Sequence, residues 1–171
     1  MKILAIDPGP VNMGVCVWEN GVFQTSLHNL YKSRTDMSFD ALFGLVDAWC
    51  RDHEDLFVTS DVVLIEQQFP SPMKLSPFLI VIMVVCQTWA RGKYKLIRPM
   101  DVKRTFGISC TGKHASNKRK VEEVAARELP QLVAIMSGSQ IHDQCDAALL
   151  VKYFLKLSKT KDDENSSYIV P

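Results

Sequence analysis

Two short apolar runs, Ile3-Leu4-Ala5-Ile6 and Val62-Val63-Leu64-Ile65, each stop on a carboxylate, Asp7 and Glu66. Runs of this length and composition, bounded by turn residues, read as strands buried on both faces, the kind found in the middle of a parallel sheet. An acid closing such a strand sits where burial disfavours its charge, so it needs a cation beside it, a proton, or local access to solvent. Asp7 alone also reads as turn chemistry, because aspartate before Pro8-Gly9 is an ordinary turn residue. Two buried strands ending the same way constrain the chain more tightly. If both are central and parallel, Asp7 and Glu66 meet at one edge of the sheet, the usual place for a site in an α/β protein.

Two further acids extend the pattern. Asp143 and Asp146 lie near the start of a helix read over Gln140 to Leu157, which Ser139 can cap. Three residues apart, they project from the same side, and Ala147, Leu150 and Phe154 continue that side, so it faces the sheet. Four carboxylates crowded into one pocket cannot all be ionised without cations among them, and two Mg²⁺ ions about 4 Å apart are the usual arrangement, with phosphodiester hydrolysis as the associated chemistry. Lys103 or Lys118 would add positive charge where a pentacovalent transition state accumulates negative charge. His142, beside Asp143, reads as a surface residue of a helix start, with ligand or base as the alternative.

Between these acids the chain reads as alternating strands and helices. Met13 to Trp18 and Val22 to Leu27 form a hairpin through Asn20-Gly21. Ser38 caps a helix whose stripe of Phe39, Leu42, Phe43, Val46, Trp49 and Cys50 faces the core. Ser76-Pro77 opens a helix over Phe78 to Ala90, apolar on nearly every side and therefore buried in the core or against a partner chain. Lys95 to Arg98 gives a fifth strand, and Pro99 opens a short helix with Asp101, Lys103 and Arg104.

A loop from Gly107 to Ala115, containing Thr111-Gly112-Lys113, leads into a helix with Val121, Val124, Ala125 and Leu129 on its core face. Lys118, Arg119 and Lys120 occupy that helix's first turns, where cations oppose the macrodipole and a phosphate would compensate them. Phe69, in the proline-rich loop after Glu66, either folds onto the core or stacks on an unpaired base.

Bulk properties fit an ordinary soluble domain of 171 residues with net charge +1. The charge is unevenly spread: Arg91 to Arg127 holds eleven lysines and arginines against three acids, so the remainder is acidic. Such a split can serve a polyanion on one side, or give only a basic solvated loop. Five cysteines without a Cys-x-x-Cys pair indicate reduced thiols in a reducing, intracellular compartment and argue against zinc. Met1 runs directly into the first strand, so no signal peptide is expected, and no apolar run is long enough to span a membrane.

Taken in order, Asp7-Pro8-Gly9 in a hairpin, Ile65-Glu66-Gln67, a basic glycine loop and His142-Asp143-x-x-Asp146-Ala147 on a helix resemble the RuvC-like Holliday junction resolvases of the ribonuclease H-like superfamily, with the poxvirus and large-DNA-virus branch as a candidate subgroup. The resemblance spans Met1 to Leu157 and implies an α/β ribonuclease H-like fold with a central mixed five-stranded sheet flanked by helices. Residues 158–171 are expected to be a disordered polar tail.

The resemblance further implies a homodimer that binds a four-way DNA junction and makes paired nicks with Mg²⁺, two ions per site, or Mn²⁺. Asp7, Glu66, Asp143 and Asp146 match the metal-binding acids, and Lys103 and Lys118 match two functional lysines. Phe69 falls where an aromatic disturbs the crossover, and Lys113, Arg119 and Lys120 are the DNA-contacting cations. One departure is the bulky Phe78-Leu79-Ile80-Val81-Ile82-Met83-Val84-Val85 helix, where bacterial members carry small residues, which puts the dimer geometry in question.

Other readings differ in what they require. Actin-like ATPases and sugar kinases open on a similar aspartate turn but need a second glycine-rich phosphate turn and a second domain. Another metal nuclease of the same fold would share the four acids. A non-catalytic junction or nucleic-acid binding module would have no use for acids that repel its ligand.

Overall fold

The strand that Asp7 closes lies in the middle of the sheet. A computed structural model describes residues 1–9, 11–30, 38–67, 77–108, 114–134, 136 and 141–166. Its strands β1 (Lys2–Asp7), β2 (Met13–Glu19), β3 (Val22–His28), β4 (Val62–Glu66) and β5 (Tyr94–Ile97) form one sheet in the order β3-β2-β1-β4-β5. β1, β2 and β3 are antiparallel neighbours, while β4 and β5 run parallel to β1. The Asn20-Gly21 turn joins β2 and β3 with φ of 50° and 90°, the left-handed pair that a two-residue hairpin requires.

Alternation along β1 and β4 sorts their side chains between two cores. Leu4, Ile6, Val63 and Ile65 pack with Leu42, Val46, Trp49 and Phe57 from α1 (Phe39–Asp52) and α2 (Glu54–Thr59), and with Leu79, Ile82 and Cys86 from α3 (Pro77–Thr88). Ile3, Ala5, Val62 and Leu64 face the opposite layer, made by α4 (Pro99–Thr105), α5 (His114–Glu128), α6 (Pro130–Val133) and α7 (Ile141–Ser166). Asp7 and Glu66 follow the second set in phase, so both turn toward α7.

Of the stripe expected on α1, Leu42, Val46, Trp49 and Cys50 are buried, whereas Phe43 is 47% exposed, and the Phe39 side chain lies outside the described residues; Ser38 Oγ accepts from the Ala41 amide at 3.2 Å. Trp49 is core, as expected. The apolar α3 is buried on one side only, with Ile80 44% and Val84 60% exposed. α2 and α6 lie in stretches for which no helix was expected. Helix α7 continues to Ser166, beyond the end at Leu157 read from the sequence; Lys159 to Asn165 contains neither glycine nor proline to stop it. Ser76, Ser139 and residues 167–171 lie outside the described residues. Among the described residues no helix is long and apolar enough to cross a membrane.

Packing of α7 on the sheet depends on Gly14. A Cβ there would stand 2.0 Å from the Asp143 carbonyl oxygen, so only glycine lets the first turn of α7 lie directly on β2. Thr25 Oγ1 adds a bond to the buried Gln144 Oε1 at 3.1 Å, tying the same turn to β3. Gly14→Ala is expected to destabilise the fold by about 1 to 3 kcal/mol, because helix backbone must move to admit the methyl group. Gly44→Ala, on an exposed helical position of α1 with nothing within 4 Å, should instead stabilise by about 0.5 to 1 kcal/mol. Urea denaturation of both variants checks the opposite signs.

Candidate active site

The end of β1, the end of β4 and the start of α7 meet in one cleft. Asp7, Pro8 and Gly9, then Asn12, Glu66, Lys103, Asn117, Lys118, Val121, His142, Asp143 and Asp146 line a cavity of about 270 Å³. All four acids and both lysines singled out from the sequence are therefore in one place. A larger hollow of about 520 Å³ lies between the β2–β3 turn and the α5–α6 junction, and its only carboxylate, Glu128, is ion-paired to Arg127 and Lys156 at 3.3 Å each.

Register brings Asp7 and Glu66 together. Parallel pairing of β1 and β4 reaches Ile6 with Ile65, and the two acids stand one step beyond. Their carboxyl groups are close enough for Glu66 to act on the titration of Asp7. Burial pushes the Asp7 carboxyl well above the ordinary carboxylate range, and the neighbouring charge of Glu66, then of Asp146 and Asp143, pushes it the same way. The Asp146 carboxyl is raised to about 8, first by burial and then by Glu66, with Lys103 and Lys118 pulling in the opposite direction. Both lysines thus direct their charge at the acids.

Each lysine is carried on a helix fixed at the cleft. Pro99 occupies the first turn of α4, and Arg98 grips Asp101 through Nε at 2.7 Å and Nη2 at 3.2 Å, setting the helix that carries Lys103. Lys118 sits on α5, held to the core through Val121, Val124 and Ala125.

Two expectations change. His142 is not a surface residue: it is 7% exposed, its Nε2 contacts Lys118 Nζ and lies 3.2 Å from Asp143 Oδ1, and its Nδ1 stands 3.8 Å from Glu122 Oε1. Lys118, Arg119 and Lys120 are not in the first turn of their helix, because α5 begins at His114, so they lie beyond the reach of its unpaired amides. Arg119 has its own partner, Glu123, at 3.2 Å. Phe69 and Lys113 lie outside the described residues.

Asn12, Asn117 and Gly14 were not anticipated from the sequence. Gly14 carried a readable signal, since glycine inside a strand marks a close backbone approach. Asn12 and Asn117 carried none, being polar residues in a turn and on a helix.

No protein family and no curated protein matches this chain by sequence. Among solved structures it is similar to Thermus thermophilus RuvC, with 17% identity over 92% of this chain and 97% of that one and a TM-score of 0.57. It is likewise similar to T. thermophilus RuvC in complex with a Holliday junction substrate, with 15% identity over 92% of this chain and 96% of that one and a TM-score of 0.58. The fold is ribonuclease H-like. At these identities the likeness is one of fold.

Raised carboxyl pKa values have a consequence for stability. Between the ordinary aspartate range and about pH 8 the folded chain keeps a proton on Asp146 that the unfolded chain has lost. Stability conferred by that proton is complete below the unfolded value and is lost as pH rises through about 8. With chelator present, stability should fall by about 1.4 kcal/mol per pH unit per retained proton from pH 5 to pH 8. Asp146→Asn should reduce that slope, as measured by urea denaturation across the range.

Proposed function

We propose that this chain is a structure-selective DNA endonuclease that resolves four-way (Holliday) junctions by paired, metal-dependent phosphodiester hydrolysis. The observation that carries the proposal is the convergence of Asp7, Glu66, Asp143 and Asp146 with Lys103 and Lys118 in one cleft. Likeness in fold to a RuvC that was solved with a Holliday junction substrate supports the choice of substrate.

The donor set suits hard divalent cations. Carboxylate oxygens are the ligands that Mg²⁺ and Mn²⁺ prefer, and a buried acid cluster whose members raise one another's pKa values gains most from them. Among the described residues no three of these side chains are close enough to form a finished ligand cage. Asp7, Glu66, Asp143 and Asp146 would hold two Mg²⁺ ions, with Mn²⁺ able to replace them. Bound there, the ions supply Lewis acidity toward the scissile phosphate and activation of the attacking water.

The chain's own groups do the rest. Lys103 and Lys118 bring positive charge to the cleft that holds the acids and stabilise the charge that builds on the phosphoryl oxygens. Arg119 and Lys120, on the following positions of α5, would meet the DNA backbone, and Lys113 and Phe69, outside the described residues, are assigned to the same interface from the sequence alone. Arg119 must exchange Glu123 for a phosphate to do so.

Paired nicking calls for two such clefts, hence a homodimer. The exposed Ile80 and Val84 on α3, with Phe43 on α1, offer an apolar surface for it, one that a lone chain leaves in water.

The deciding assay incubates the protein with a labelled four-way junction and a matched linear duplex, with Mg²⁺ or with chelator. Cleavage of the junction alone, and only with metal, is expected; equal cutting of both substrates would remove junction selectivity. Asp143→Asn should lower cleavage on the order of 10²-fold or more while the junction is still bound in a gel-shift measurement. Undiminished cleavage by that variant would take Asp143 out of the site.

A further inference from the structure

His142 lines the cleft without belonging to the acid cluster, and its surroundings are unusually specific. The ring is buried at the second position of α7, where a polar side chain is costly unless its nitrogens are satisfied. Nε2 contacts the Lys118 ammonium on α5 and lies 3.2 Å from Asp143 Oδ1. Nδ1 faces Glu122 Oε1 at 3.8 Å, and Glu122 is four residues beyond Lys118 on the same helix.

Hydrogen-bonding capacity assigns the roles. An ammonium group only donates, so the ring nitrogen facing Lys118 acts as the acceptor and the ring N–H sits on Nδ1, directed at Glu122. The Lys118 ammonium has three N–H groups, one of which this contact engages.

We infer that His142 is a positioning residue that holds the Lys118 ammonium in the acid cleft that both residues line. A lysine carries its charge on a long flexible stem, and without an anchor the ammonium spreads over many rotamers. The buried imidazole provides that anchor from the helix that also carries Asp143 and Asp146, so the lysine and the acids keep one geometry. This role rests on the nuclease proposal for its purpose, although the contact itself does not.

Two measurements separate the two claims. In the metal-free protein, limited acetylation by acetic anhydride, read by mass spectrometry, reports how tightly Lys118 is held relative to the exposed Lys159. His142→Gln keeps an acceptor near the Nε2 position and should leave Lys118 protected. His142→Met has similar bulk but no comparable acceptor and should make Lys118 several-fold more reactive. His142→Asn, which stays polar but stops short of that position, should behave like Met and decides the matter if the Met variant does not fold. Equal protection of Lys118 in the Gln variant and in whichever acceptor-lacking variant folds would overturn the inference.

On a cleavable junction, His142→Met should lower kcat with little change in KM, and Gln should restore most of the loss. Combining His142→Met with Lys118→Ala should cost no more than Lys118→Ala alone, because one acts through the other. Multiplying losses would overturn the positioning role. If the wild-type protein cuts no junction, the nuclease reading falls, and the acetylation comparison still decides whether His142 holds Lys118.

Discussion

Repulsion among buried carboxylates is the constraint around which this molecule is arranged. Asp7 and Asp146 each sit where burial alone would keep a carboxyl protonated, and every acid nearby raises the cost of ionising the next. A fold selected only for stability would place apolar side chains at these strand ends and on this helix face. Here the strand cores are apolar to their last residue and then change abruptly to acid. The surrounding fold must tolerate that cost, and the five-stranded sheet with helices on both faces provides the buried area to do so.

The same constraint explains why the cleft is assembled from rigid parts. Asp7 and Glu66 are set by a parallel ladder whose register admits no slip without turning every side chain of β1 to the other core. Asp143 and Asp146 are set by a helix whose first turn is pressed on β2 at Gly14 and tied to β3 through Gln144. Four acids on three elements cannot relax apart, because each element is held by residues that have no part in the cleft. Confinement of this sort keeps an unfavourable cluster intact until a cation or a proton compensates it.

Much of this was legible in the sequence, for identifiable reasons. Ile3 to Ile6 and Val62 to Ile65 announce buried strands by composition, and the acids after them stand out against that background. Asp143 and Asp146 could be assigned to an inward face because Ala147 and Leu150 mark it, and both are buried in the fold. The strand order could not be read from local pattern, since nothing in β3 states that it lies at the edge and nothing in β1 states that it lies between β2 and β4. His142 failed for a related reason: its partner Lys118 is 24 residues away, on a different helix, and a histidine at a helix start has no sequence mark that it is buried. The end of α7 failed differently. Low hydrophobicity from Ser158 onward argues against a core, yet a helix already nucleated by Ile141 to Leu157 extends through polar residues at little cost.

α3 shows the limit of periodicity from the other side. Its sequence is apolar in every direction, so no face can be singled out by pattern, and only the sheet decides which side is inside. Leu79, Ile82 and Cys86 are buried against β1 and β4, whereas Ile80 and Val84 are left in water. Water-facing isoleucine and valine on a helix with no charged residue confer nothing on a solitary chain, and they sit on the opposite layer from the acid cleft. A partner seated there would pair two molecules without covering either cleft, as the proposed paired nicking would need.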